Sequence, residues 1–195
     1  MGRRRRFGRE EPTGSAVDRG PDADPESVAR TIVLTKLTTR ARSRHELADA
    51  LSQRQVPDDV AAKVLDRFGE AGLVDDAAFA KAWVEARLSS RGLSRRALAV
   101  ELRRKGVDPD VVADSVREID EETEYAAARA LVEKKLRSSR TTDPTAKWRQ
   151  LVGMLARKGY SAALSMRVVA DAVREHDAAQ EPLDESPAPA DELGT

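Results

Sequence analysis

The 195-residue chain has no cysteine, which excludes a disulfide framework and any zinc site built on thiolates. That absence is compatible with a reducing compartment. Aromatic residues make up only 4% of the chain, which weighs against a large conventional core and against an all-β fold. The two histidines are His45, just after Ser43 at an expected helix start, and His176, beside a polar tail. A solvent-facing position suits His45 better than the role of a general base. No run of about 18 apolar residues exists, so no membrane-spanning helix is expected. Arg3–Arg6 are followed by no apolar stretch, so they do not open a secretory signal. Neither a G-x-x-x-x-G-K-[ST] phosphate loop nor a G-x-S-x-G elbow occurs. Asp75 and Asp76 are adjacent, and adjacent residues on a helix do not face each other. Capping is the better account of that carboxylate pair. No catalytic, cofactor or metal site is expected.

Ala, Leu, Arg and Glu dominate, and this composition favours helices. Basic and acidic residues balance at 34 each, but they are unevenly placed. Between Ala77 and Gly106 eight basic residues face two acidic ones, a local net charge of +6. From Glu175 onward there are seven acidic residues and no Lys or Arg. A basic middle of this kind can dock onto an anionic partner even in a neutral protein.

Residues 1–25 are rich in Arg, Gly, Pro and Asp and read as a disordered basic tail. The acidic, Pro/Ala-rich residues 177–195 read as a second tail, which could shield the basic stretch until a partner displaces it. Between them the pattern is helical. Ser43 with Glu46 has capping-box spacing, Pro57 suits a first helical turn, and Asp75 and Ser94 suit N-caps. Gly72 ends one helix, Gly92 breaks another, and Gly106 stands where a helix needs a left-handed C-terminal residue. Phe79, Leu88 and either Val84 or Trp83 are expected in the core. Phe79, Trp83 and Trp148 read as core anchors rather than as base-stacking platforms.

Aligning the middle helices exposes a repeat. The pairs Leu47/Leu51, Leu98/Leu102 and Leu151/Leu155 are each four apart, with periods of 51 and 53 residues. Five residues after each pair stand Val56, Val107 and Tyr160, and four further on Val60, Val111 and Leu164. Upstream, Ile32 and Leu37 match Trp83 and Leu88, and then Leu131 and Leu136, with an insertion of five in the Ser138–Asp143 loop. The expected fold is all-α: three tandem three-helix repeats forming an elongated, curved molecule. The expected boundaries are 26–73, 74–119 and 120–176. Units this small have little independent core, so neighbours should pack in series.

Basic positions recur in the same register. Arg54, Lys105 and Lys158 lie three residues after each second leucine, and Arg104 and Arg157 two after. Arg96 and Arg103, seven apart, share a helix face away from Leu98. Solvation of the helix and support of its C-terminal dipole would account for any one of them. Recurrence in register favours a binding role for the set. The expected contact stripe is Arg91, Arg95, Arg96, Arg103, Arg104 and Lys105, supported by Arg157 and Lys158.

Gly72-Leu-Val-Asp-Asp-x-x-Phe-Ala-x-x-Trp-Val84, then Gly92, Ala97-Leu98 and Glu101-Leu-Arg-Arg-Lys-Gly-Val107, resemble the central signature of the bacterial RecX family. Leu155-Ala-Arg-Lys-Gly-Tyr160 and the helix after it are similar to that family's C-terminal repeat. The resemblance covers roughly residues 26–176 and is weakest in the first unit, where Gln55 replaces the glycine found at 106 and 159. It implies a cytoplasmic, monomeric regulator that is not an enzyme. Such a protein would bind the RecA recombinase and the RecA–DNA filament and inhibit ATP hydrolysis, strand exchange and co-protease activity. Weak contacts to single- or double-stranded DNA could accompany this, through basic faces whose hold weakens with salt. The alternative is a stand-alone helical DNA-binding protein related to helix-turn-helix modules. Against it, the helices after Pro57 and Pro109 are mostly Val, Ala and Asp.

Overall fold

A computed structural model describes residues 24–179. The tails read from the sequence, 1–25 and 177–195, lie outside the described residues except at their inner ends. Among the described residues there are nine helices and no strand. They are α1 (Pro25–Thr39), α2 (Arg44–Ser52), α3 (Asp58–Glu70), α4 (Asp76–Arg91), α5 (Arg95–Arg104), α6 (Pro109–Arg117), α7 (Glu121–Ser138), α8 (Pro144–Arg157) and α9 (Ala162–Ala178). The starts are chemically marked. Asp24, Asp75, Ser94, Asp108, Asp120, Asp143 and Ser161 each accept a hydrogen bond from a first-turn backbone N–H, satisfying donors that have no helical partner. Proline opens α1, α6 and α8, where its missing N–H costs nothing. α9 continues two residues past His176, through Asp177 and Ala178, and Ala179 caps it.

The chain divides into two compact units. One holds α1, α3 and α2 from Glu46 onward, closed on Ala29, Val33, Leu47, Leu51, Val64, Leu65 and Phe68. The other holds α4–α9 together with Ser43–His45. It contains two cores, one of Phe79, Val84, Leu98, Leu102, Val107, Val112 and Ile119. The second core comprises Val132, Leu136, Leu151, Leu155, Tyr160, Val168 and Val169.

The three leucine pairs are buried to 1% exposure or less, and Val56, Val107 and Tyr160 are buried beside them. Truncating any one of the leucines to alanine should cost about 2–5 kcal/mol. A further register emerges in the structure. Ala29, Ala80 and Ala128 are fully buried on the first helix of each triplet, and Val33, Val84 and Val132 follow one turn later. The small side chain lets the first helix approach the third, against which it packs in every triplet.

One aromatic expectation is resolved and another changes. Of the pair Val84 and Trp83, Val84 enters the core and Trp83 is half-buried. Trp148 is exposed and is not a core anchor. It stands three residues before Leu151, on the same side of α8, but a stripe is buried only where another helix lies over it. Near the start of α8 Trp148 stays 36% exposed.

Candidate basic partner-binding surface

The eight basic residues of the expected stripe all lie in the α4–α9 unit, and the fold gives them unequal roles. The geometry starts at the turn between α4 and α5. Gly92 ends α4 with φ of 56°, and Ser94 caps α5 by accepting from the Ala97 N–H at 3.2 Å. The Ser94 N–H donates to the Lys158 carbonyl at 3.1 Å. Tyr160 donates its hydroxyl to the Gly92 carbonyl at 3.1 Å, and the Lys158 ammonium donates to the Arg91 carbonyl. The C-terminal end of α8 is thereby pinned to the start of α5. Tyr160 is shielded from water, and that burial pushes its phenol up to about 12.

Four of the eight residues are engaged internally. Arg95 donates its backbone N–H to Glu124 Oε1 at 2.9 Å and its Nε to Glu124 Oε2 at 2.8 Å. It also reaches the Ile119 carbonyl at 3.3 Å. Glu124 is a buried carboxylate, so this charge-assisted pair braces the start of α5 against α7. Lys105 places its ammonium 4.2 Å from the Trp83 ring centre and 5.7 Å from that of Phe79, within cation–π range. Lys158 is held by the Arg91 carbonyl, and Arg91 itself lies 3.8 Å from Glu101.

Arg96, Arg103, Arg104 and Arg157 are the remaining four. Each is exposed, and among the described residues none has a carboxylate within ion-pair distance. Arg96 and Arg104 of α5 and Arg157 of α8 border one open groove, floored by Leu93, Ala97, Val100 and Tyr160. Arg96 and Arg103 border a second groove with Arg95 and Arg117, over Ala99, Val112 and Val116. Arg96 thus stands on the ridge between the two. Exposed guanidiniums flanking apolar floors can grip carboxylates or phosphates bidentately while covering aliphatic surface. Sequence reasoning missed Val100, an exposed valine between Arg96 and Arg104 at i+4 spacing, and Arg117, which belongs to a different helix. Among the described residues no group of His, Cys, Asp or Glu could hold a metal ion, and no helix is long and apolar enough to cross a membrane.

Three family models match the chain in order. They are the first three-helix domain of RecX over residues 29–68, the second over 75–115 and the third over 122–169. Regulatory protein RecX of Streptomyces lividans is 49% identical over 164 residues, covering 84% of this chain and 87% of its own. The protein of the same name from Thermobifida fusca is 50% identical over 153 residues, covering 77% and 83%. A crystal structure of RecX from Lactobacillus salivarius superposes with a TM-score of 0.69 at 19% identity, covering 77% of this chain and 98% of its own. A second RecX crystal structure gives 0.66 at 20% identity, covering 76% and 72%. At this distance both speak for the fold alone. Nine helices in three triplets among the described residues, three family domains matched in sequence and relatives near half identity lead to one conclusion: the chain belongs to the RecX family, and the relatives named above are regulatory proteins.

Proposed function

We propose that the protein is a negative regulator of the RecA recombinase. It acts in the cytoplasm as a monomer, without cofactor or catalysis of its own, and binds RecA and the RecA–DNA filament. Binding inhibits ATP hydrolysis, strand exchange and co-protease activity and so modulates recombination and DNA repair. The observation that carries this reading is the exposed set Arg96, Arg103, Arg104 and Arg157, without an ion-pair partner among the described residues, on the second and third domains of a RecX-family chain. Arg91, Arg95, Lys105 and Lys158 support that set from within the fold. Such cations face acidic protein surface or DNA phosphates, and each contact is worth little at high salt.

The test is RecA filament ATPase measured with increasing amounts of wild-type protein and of the Arg96→Glu, Arg103→Glu, Arg104→Glu triple variant. None of the three is buried, so the variant should keep the wild-type circular dichroism spectrum and melting curve. The proposal expects inhibition by the wild type and its loss in the folded variant. Undiminished inhibition by that variant would remove this surface from the account.

A further inference from the structure

One acidic residue, Glu101, borders the groove of Arg96, Arg104 and Arg157. It stands three residues before Arg104 and four before Lys105 on α5, the spacing at which a helical glutamate ordinarily pairs with basic neighbours. Among the described residues it pairs with neither. Its Oε2 accepts the indole N–H of Trp83 at 2.9 Å and lies 3.3 Å from Arg87 Nε. Its Oε1 faces Arg91 at 3.8 Å. Trp83 is fixed in turn, stacked on Phe79 with ring centres 5.7 Å apart. The Arg87 guanidinium lies 4.1 Å from the Trp83 ring centre, and the Lys105 ammonium lies 4.2 Å from it.

The competition has a clear winner. An exposed i,i+3 or i,i+4 ion pair on a helix is weak, whereas a hydrogen bond to a charged group is stronger, and here Arg87 and Arg91 reinforce it. Glu101 therefore stays on the Trp83 side of α5.

We infer that Trp83 is a positioning residue of the partner-binding groove: its indole N–H holds Glu101 against α4, leaving Arg104 without an internal counter-ion and open to an anionic group of the partner. This rests on the regulator reading above and adds the device that keeps the groove cationic. Trp83 acts through Glu101.

The experiment uses full-length chains in the filament ATPase assay, comparing wild type, Trp83→Phe, Glu101→Gln and the double variant. Phenylalanine keeps an aromatic ring between the two cations and removes only the N–H donor. Glu101, then held only by Arg87 and Arg91, becomes freer to compete for Arg104, and inhibition should weaken about 2–5-fold, the effect of one partly exposed ion pair. Glu101→Gln added to Trp83→Phe removes the competitor and should bring inhibition back to that of Glu101→Gln alone. A packing defect at Trp83 would not be rescued this way. A double variant as weak as Trp83→Phe overturns the inference, as does a Trp83→Phe variant indistinguishable from wild type. In both cases the arginine triple variant reports separately on the regulator reading. Should Trp83→Phe unfold, Glu101→Asp decides: its shorter arm cannot reach the indole, so a folded Glu101→Asp chain must inhibit more weakly than wild type, and equal inhibition refutes the inference.

Discussion

Substituting Gly159 by alanine should loosen the joint that sets Arg157 beside α5, by an amount that can be worked from the geometry. Gly159 has φ of 88°, and for an L-residue the left-handed region costs roughly 1–2 kcal/mol. A Cβ there would sit 2.6 Å from Ser94 Oγ, 2.9 Å from Ala97 Cβ and 3.3 Å from the Ala97 N. Of these, the serine hydroxyl is committed to capping α5, and the Ala97 atoms ride on its first turn and cannot swing away. Overpacking of this kind adds about 1–3 kcal/mol, for a total of roughly 2–5 kcal/mol. Gly92→Ala is the matched control in the same unit. It pays the left-handed cost at φ of 56°, but the nearest atoms a Cβ would meet belong to the Leu131 side chain, at 2.9–3.2 Å, and that side chain can rotate. Urea unfolding followed by far-UV circular dichroism should show the larger loss for Gly159→Ala, accompanied by weaker inhibition of the RecA filament. Equal losses in the two variants would refute the claim that close approach to α5, rather than backbone conformation, makes the glycine necessary.

Gln55 adopts φ of 59° at the position where the other triplets have Gly106 and Gly159. Gln55→Gly should therefore stabilise the first unit by about 1 kcal/mol, seen as a higher urea midpoint. Ser165 is buried with no hydrogen-bond partner for its hydroxyl among the described residues, at the register of Ala61 and Val112. Ser165→Ala should raise stability by about 1 kcal/mol in the same assay. The Tyr160 phenol, raised from 10 to about 12 by burial, stays protonated in the folded chain while an unfolded chain ionises first. Stability from this source is present below pH 10 and is lost as pH rises through 12. An absorbance titration should place one tyrosine near the upper value, and Tyr160→Phe should flatten alkaline unfolding over that window.

Much of the fold was written locally. The capping aspartates and serines, the terminating glycines and the leucine pairs act within a turn or two of their own position, so their spacing was enough to set out three helix triplets. The alanines at 29, 80 and 128 were invisible to that reading, since an alanine signals helix anywhere and close packing only in three dimensions. Trp148 was misplaced because periodicity gives a side chain's direction but not what lies over it. The basic stripe was legible as a set and not residue by residue. Arg95 is bound by Glu124, 29 positions away, and Lys158 by a carbonyl 67 positions away. No helical pattern announces partners at such distances. Arg96, Arg103, Arg104 and Arg157 were distinguished from the other four only once those partners were placed.

The most direct measurement compares the affinity of the full-length chain for bare single-stranded DNA with its affinity for a RecA filament on the same DNA, at matched salt. A regulator that reads the filament through its basic grooves should prefer the filament. That preference should fall as salt rises and should disappear in the folded Arg96→Glu, Arg103→Glu, Arg104→Glu variant. Equal or tighter binding to bare DNA would contradict the account and favour a stand-alone DNA-binding protein.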